Sequence, residues 1–170
     1  GLPTDSWALI FEPKYLAKIK GRVTVLDSQR ELMAAALKYL GYSVNSRNEQ
    51  ELAAAQRLIL RAKPYWAAFN ASGYIKELTV GNIWVVHGYS NDIYQASLDA
   101  AAAKRPFHIV SAVPKEGYTL SQDSFVIHRD APRPDLALKF INFMMDPKNA
   151  AEMPNLNGAG TPNLPARQYL

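Results

Sequence analysis

An α/β lobe with a mostly parallel sheet and helices on both faces is the fold the sequence predicts. Short apolar runs suited to buried strands alternate with amphipathic stretches at helical spacing, and the changeovers are punctuated by capping residues, glycines and prolines. The chain has 170 residues, 48% of them hydrophobic and 20% charged, which is enough to bury one ordinary core.

Taken in order, residues 6–20 read as an exposed, mixed opening. Residues 21–26, ending in Val23-Thr24-Val25-Leu26, read as a short buried strand, with Asp27 or Ser28 placed to cap the helix that begins near Arg30. That helix carries Leu32, Met33, Ala36, Leu37 and Leu40 on one face and stops at Gly41. Ser46-Arg47-Asn48-Glu49 is a capping-box pattern opening a second helix, which runs through Leu52, Ala55, Leu58 and Ile59 toward Lys63, with Pro64 beyond it. Residues 66–69 read as a short strand and residues 72–78 as a helix or turn.

Residues 82–87, an apolar run ended by Gly88, suit a central strand, and Ser90 is placed to cap a helix through Ile93, Tyr94, Ala96 and Ala100. Residues 107–113 read as a further strand closed by Pro114. Beyond Gly117 the pattern restarts with a strand at residues 124–127, a proline-punctuated turn at 131–134, a helix over 135–145 and a loop rich in Asn, Gly and Pro. In parallel sheets, ligands bind beyond the carboxyl ends of the strands, where Asp27, Tyr89 and Asp92 fall.

Composition narrows the function. No apolar run approaches the roughly 20 residues needed to span a bilayer, and the opening Gly1-Leu2-Pro3-Thr4 lacks the regions of a signal peptide. There is no cysteine, hence no disulfide framework and no thiolate metal site or nucleophile. The net charge is +4, but Lys and Arg are scattered singly, so no nucleic-acid partner is expected. His87, His108 and His128 lie far apart, without companions at metal-ligand spacing. No Gly-x-Ser-x-Gly elbow, Walker A loop or Gly-x-Gly-x-x-Gly fingerprint is present, so no catalytic residue, metal or cofactor is expected.

The carboxylates at element ends have ordinary explanations as well as functional ones. Asp92 and Glu31 stand in first helical turns, where an acid complements the helix dipole, and Asp123 between a turn and a strand can cap the turn. Tyr89 lacks such an excuse: an aromatic face after a strand-ending glycine and beside an acidic helix start makes a wall for an alkylammonium ligand.

These residues are also where the chain resembles a family. Asp27-Ser28-Gln29-Arg30-Glu31, residues 36–43, Gly88-Tyr89-Ser90-Asn91-Asp92, Pro114-Lys115-Glu116-Gly117, Ile141-Asn142-Phe143 and Thr161-Pro162-Asn163 together resemble the periplasmic polyamine-binding proteins of ABC transporters. The resemblance implies two α/β lobes of the type II periplasmic-binding-protein kind, joined by crossing strands and closing on ligand by hinge bending. In that pattern residues 1–121 are the second lobe and residues 122–170 are a strand-helix segment crossing back to the first lobe, most of which is absent from the chain. The orphaned strand and helix, with Phe125, Phe140, Phe143 and Met144, are then expected to pack back or to mediate dimerisation.

The resemblance further implies that Asp92 and Asp123 bind ammonium groups, that Glu31 is another acidic contact and that Tyr89 packs on the ligand's methylene chain. Ser28 replaces an aspartate, Ser121 an aromatic wall and Ala159 a tyrosine of the family pattern. The implied function is periplasmic capture of a small cation such as putrescine or spermidine and delivery to a membrane permease. A lobe for a different organic solute is the alternative, and an enzyme using Asp92 and Asp123 as acid and base is a remoter one.

Overall fold

The computed structural model describes residues 1–170. They form two compact units, Gly1–Thr119 and Leu120–Leu170, and no helix is long and apolar enough to cross a membrane.

The first unit is built on a three-stranded parallel sheet of order β2-β1-β3, formed by β1 (Val23–Leu26), β2 (Ala68–Asn70) and β3 (Val85–Val86). β1 is central and wholly buried, as its Val-Thr-Val-Leu run requires of a strand covered on both faces. Val23 and Val25 enter a core shared with α1 (Ala8–Phe11), α2 (Pro13–Leu16), α3 (Gln29–Tyr39) and α4 (Glu49–Ala62). Toward the other edge, α5 (Tyr74–Val80) packs along β3 and against α6 (Ser90–Ala102).

The helices stop and start where local chemistry tells them to. Ser28 Oγ accepts the Glu31 N–H at the start of α3. At its end Gly41 takes φ +81°, and the Tyr42 and Gly41 amides close back on the Leu37 and Lys38 carbonyls. Gly81 ends α5 in the same left-handed conformation.

Several expectations are corrected. Residues 6–20 are not an exposed opening: they fold as α1, α2 and a 3₁₀ turn, with Phe11 and Leu16 fully buried. The cap of α4 is Asn48, whose Oδ1 accepts from the Gln50 and Glu51 amides, and not Ser46, whose hydroxyl turns to the Glu51 carboxylate. Ser90 is the first residue of α6; the cap position belongs to Tyr89. Of residues 82–87 only Val85 and Val86 pair, at the sheet edge. Residues 107–113 and 124–127 form no strand and pair with none, and Val110, Val113 and Val126 are largely exposed.

The second unit contains α7 (Pro134–Met145), α8 (Pro147–Asn157) and a 3₁₀ stretch, Leu164–Tyr169. The expected Asn/Gly/Pro-rich loop is therefore mostly helical. Asp146 caps α8 through the Lys148 amide, and Asn163 caps the 3₁₀ turn while donating to the Met145 carbonyl. Phe125 and Phe140 meet edge to face at 5.8 Å, yet Phe125, Phe140 and Phe143 each stay more than half exposed.

Candidate ligand site at the carboxyl edge of the sheet

Because the three strands are parallel, their carboxyl ends lie on one edge. Asp27 and Ser28 leave β1 there, Asn70 closes β2, and His87, Gly88 and Tyr89 follow β3. The exits stay laced together: the Asp27 amide donates to the Asn70 carbonyl at 3.3 Å and the His87 amide to the Thr24 carbonyl at 3.0 Å.

This edge also collects the amino ends of α3 and α6, each carrying about half a positive charge. Left alone, such an edge suits an anion. Both helices instead place an acid at their third residue, Glu31 in α3 and Asp92 in α6. A full negative charge outweighs the half charge of its helix end, so each terminus is left net negative. The protein has two ion pairs, Arg61–Glu12 and Arg133–Asp135, so Asp27, Glu31 and Asp92 carry no intramolecular counter-ion.

Asp92 is the most tightly organised of them. Its Oδ2 accepts from the hydroxyl of Tyr74 and its Oδ1 from Asn91 Nδ2 at 2.9 Å. Tyr74 opens α5, is fully buried, and accepts the Tyr89 amide N–H at 3.3 Å on the same hydroxyl. Burial and the hydrogen bond to the Asp92 carboxylate hold this phenol well above its ordinary pKa, so it is a permanent neutral donor. The Tyr89 ring makes no cap bond and is 44% exposed beside Asp92. His87 is buried at the root of the same turn, its Nδ1 without a partner, and burial lowers its pKa to about 4.

The structure thus brings Tyr89 and Asp92 together on one helical turn and sets Ser28 and Glu31 at the neighbouring strand exit. Ser28 is partly committed as the α3 cap. Ser121 and Asp123 belong to the second unit, where both are exposed. Sequence reasoning missed Tyr74. The signal was a tyrosine directly after Ser72-Gly73, in a segment read only as a helix or turn.

A cleft of about 860 Å³ lies elsewhere, between α3 and α4. It reaches Asp27 and Ser28, but its walls include Met33, Leu52, Ile59 and Phe69 and neither Tyr89 nor Asp92. For a charged ligand the acidic edge is the better candidate, since a mostly apolar wall cannot repay the desolvation of a cation. No group of three or more His, Cys, Asp or Glu side chains is placed to hold a metal ion.

A parallel α/β unit with an acid in the first turn of each of two helices and an aromatic face at its carboxyl edge has the form of a solute-binding lobe. The model of the bacterial extracellular solute-binding protein family matches residues 3–168, and the chain belongs to that family. It is 55% identical over 170 residues to the putrescine/cadaverine-binding protein of Pseudomonas aeruginosa, covering 100% of this chain and 48% of that protein. A putrescine-binding periplasmic protein of another strain of that species is 44% identical over 167 residues, covering 94% of this chain and 46% of its own length. The crystal structure of the spermidine/putrescine ABC transporter substrate-binding protein of Streptococcus pneumoniae, in complex with calcium and HEPES, superposes with a TM-score of 0.79 at 28% identity, over 98% of this chain and 48% of that one. The chain therefore spans about half the length of the relatives it matches. These relatives are named as binding proteins and not as enzymes.

Proposed function

We propose that this chain supplies one lobe and the return segment of a periplasmic solute-binding component of an ABC transporter, and that its ligand is a di- or polyamine. The observation that carries the reading is the Tyr89–Asp92 turn: an exposed aromatic face beside a hydrogen-bonded carboxylate that has no counter-ion. An alkylammonium ion uses both, the charge on the carboxylate and the methylenes on the ring. Residues 1–121 form the second lobe in this reading, and residues 122–170 cross back toward the first.

Asp92 and Asp123 are assigned to ammonium groups, Glu31 to a further acidic contact and Tyr89 to the methylene chain. Ser28 and Ser121 line the ligand without supplying charge or an aromatic face. Those two replacements, with Ala159, leave one carboxylate and two rings fewer than the family pattern, and this favours a short diamine such as putrescine over spermidine. Docking on a membrane permease completes the role. Self-association through Phe125, Phe140 and Phe143 belongs to the same reading, and light scattering tests it.

The test is calorimetric titration of putrescine and spermidine into the full-length protein at two salt concentrations. Saturable binding that weakens with salt and is largely lost in Asp92→Asn and Asp123→Asn, with folding intact, is the expected result. Silence toward both amines from a folded protein that binds another solute would replace the polyamine with that solute.

A further inference from the structure

The turn that begins α6 contains a capping box with an inserted link. In the ordinary box, the side chain of the third helical residue reaches back to the amide of the cap residue. Here the third residue is Asp92, the cap residue is Tyr89, and the hydroxyl of Tyr74 stands between them, donating to Asp92 Oδ2 and accepting from the Tyr89 N–H. The other half of the box is missing, because the Tyr89 side chain makes no cap bond. That leaves the Tyr89 ring free to face outward.

The relay also explains Gly88. A Cβ built there would lie 2.9 Å from Tyr74 Cε2, 3.1 Å from Tyr74 Cζ and 3.0 Å from Val86 Cγ1. Any side chain at position 88 would push the Tyr74 ring off the line joining Asp92 and Tyr89. The ring is fully buried, with little room to swing elsewhere.

We infer that Tyr74 is a positioning residue for cation capture: from beneath the site it fixes the Asp92 carboxylate and the Tyr89 backbone as one unit, and Gly88 provides the space it needs. This rests on the proposed role of Asp92. Two hydrogen bonds from Tyr74 and Asn91 occupy two of the carboxylate's roughly four acceptor positions, so a ligand ammonium can use the remainder. Preorganisation of this kind spares the ligand the cost of ordering a mobile carboxylate when it binds.

The test is a cycle of four full-length proteins, wild type, Tyr74→Phe, Asp92→Ala and the double variant, titrated with putrescine and melted separately to follow folding. A hydrogen bond to a charged group is lost in Tyr74→Phe, so affinity should fall about tenfold or more. In the Asp92→Ala background the same change should cost less than about threefold, because the group being positioned is gone. A merely structural tyrosine would give the same fold-loss in both backgrounds, and that equality overturns the inference, as does wild-type affinity in Tyr74→Phe. Gly88→Ala gives an independent check: it should lower putrescine affinity with Asp92 intact, and wild-type affinity there also overturns the inference. If Asp92→Ala itself binds putrescine like the wild type, the proposed role of Asp92 fails first and the inference falls with it.

Discussion

The indole Nε1 of Trp66 donates to the carbonyl oxygen of Ile10 at 2.9 Å, joining residues 56 apart in the chain. Ile10 lies near the end of α1, where Glu12 is extended and Pro13 has no N–H, so this carbonyl has no helical successor to satisfy it. Trp66 supplies the missing donor and packs against Phe11 and Phe69 at centroid distances of 6.4 and 5.7 Å. One side chain thus ties the opening helices to the start of β2.

Replacing Trp66 by Phe keeps an aromatic filler but strands the Ile10 carbonyl in the core. Stability should fall by about 1–3 kcal/mol, the cost of a buried acceptor without its donor. Urea unfolding followed by far-UV circular dichroism measures it. A midpoint equal to wild type would mean that water reaches Ile10.

Asn48→Ala should cost about 1 kcal/mol, because its side chain accepts the Gln50 amide at 2.9 Å and the Glu51 amide at 3.3 Å as the cap of α4. Ser46→Ala should cost less. The Ser46 hydroxyl bonds the Glu51 carboxylate and accepts the Asn48 amide, leaving the helix amides to Asn48. Unfolding midpoints of the two variants rank them. The reverse order would restore Ser46 as the cap.

What the sequence made legible follows the range of the forces involved. β1, α3 and α4 were readable because their signals are local: a continuous buried run, an apolar face at helical spacing, a glycine stop. The α1–α2 segment was missed because four-residue helices are too short to show a period, although Phe11 and Leu16 sit in the core. Residues 107–113 have strand composition, but a strand needs a neighbour, and composition does not report whether one is within reach. The site divides in the same way. Asp92 and Tyr89 were legible as a helix start, whereas Tyr74 reaches Asp92 across 18 residues, a meeting that only the packing of α5 on α6 creates.

Gly81→Ala should destabilise by about 1 kcal/mol or more from backbone conformation alone, since Gly81 ends α5 at φ +81°. The added Cβ would also meet Phe107 Cε1 at 2.9 Å. Because α5 carries Tyr74, the loss should appear in thermal melts together with faster amide exchange at α5. A melting temperature unchanged from wild type would show that the turn adopts another conformation at no cost.

His87 makes stability depend on pH, and the sign follows from its burial. The ring is 8% exposed, edge-on to Trp7 at a centroid distance of 5.4 Å, with Nδ1 unpartnered. Its folded pKa is lowered from 6.5 to about 4, so between those values the unfolded chain binds the proton more readily and stability falls as pH falls. The contribution is intact above the unfolded pKa, should be down by about 2 kcal/mol at pH 5, and is lost in full, about 3 kcal/mol, below the folded pKa. A proton forced onto His87 puts an unpaired charge beside Trp7, whose indole holds the Gly117 carbonyl at 2.7 Å and whose amide donates to Glu116 at 3.2 Å. The carboxylates titrate in the same range, so the measurement is a comparison: urea unfolding of wild type and His87→Gln at pH 7.5 and pH 5. The variant should lose about 2 kcal/mol less than wild type across that interval. Equal losses in the two proteins would mean that His87 titrates normally in the folded state and that its burial carries no charge penalty.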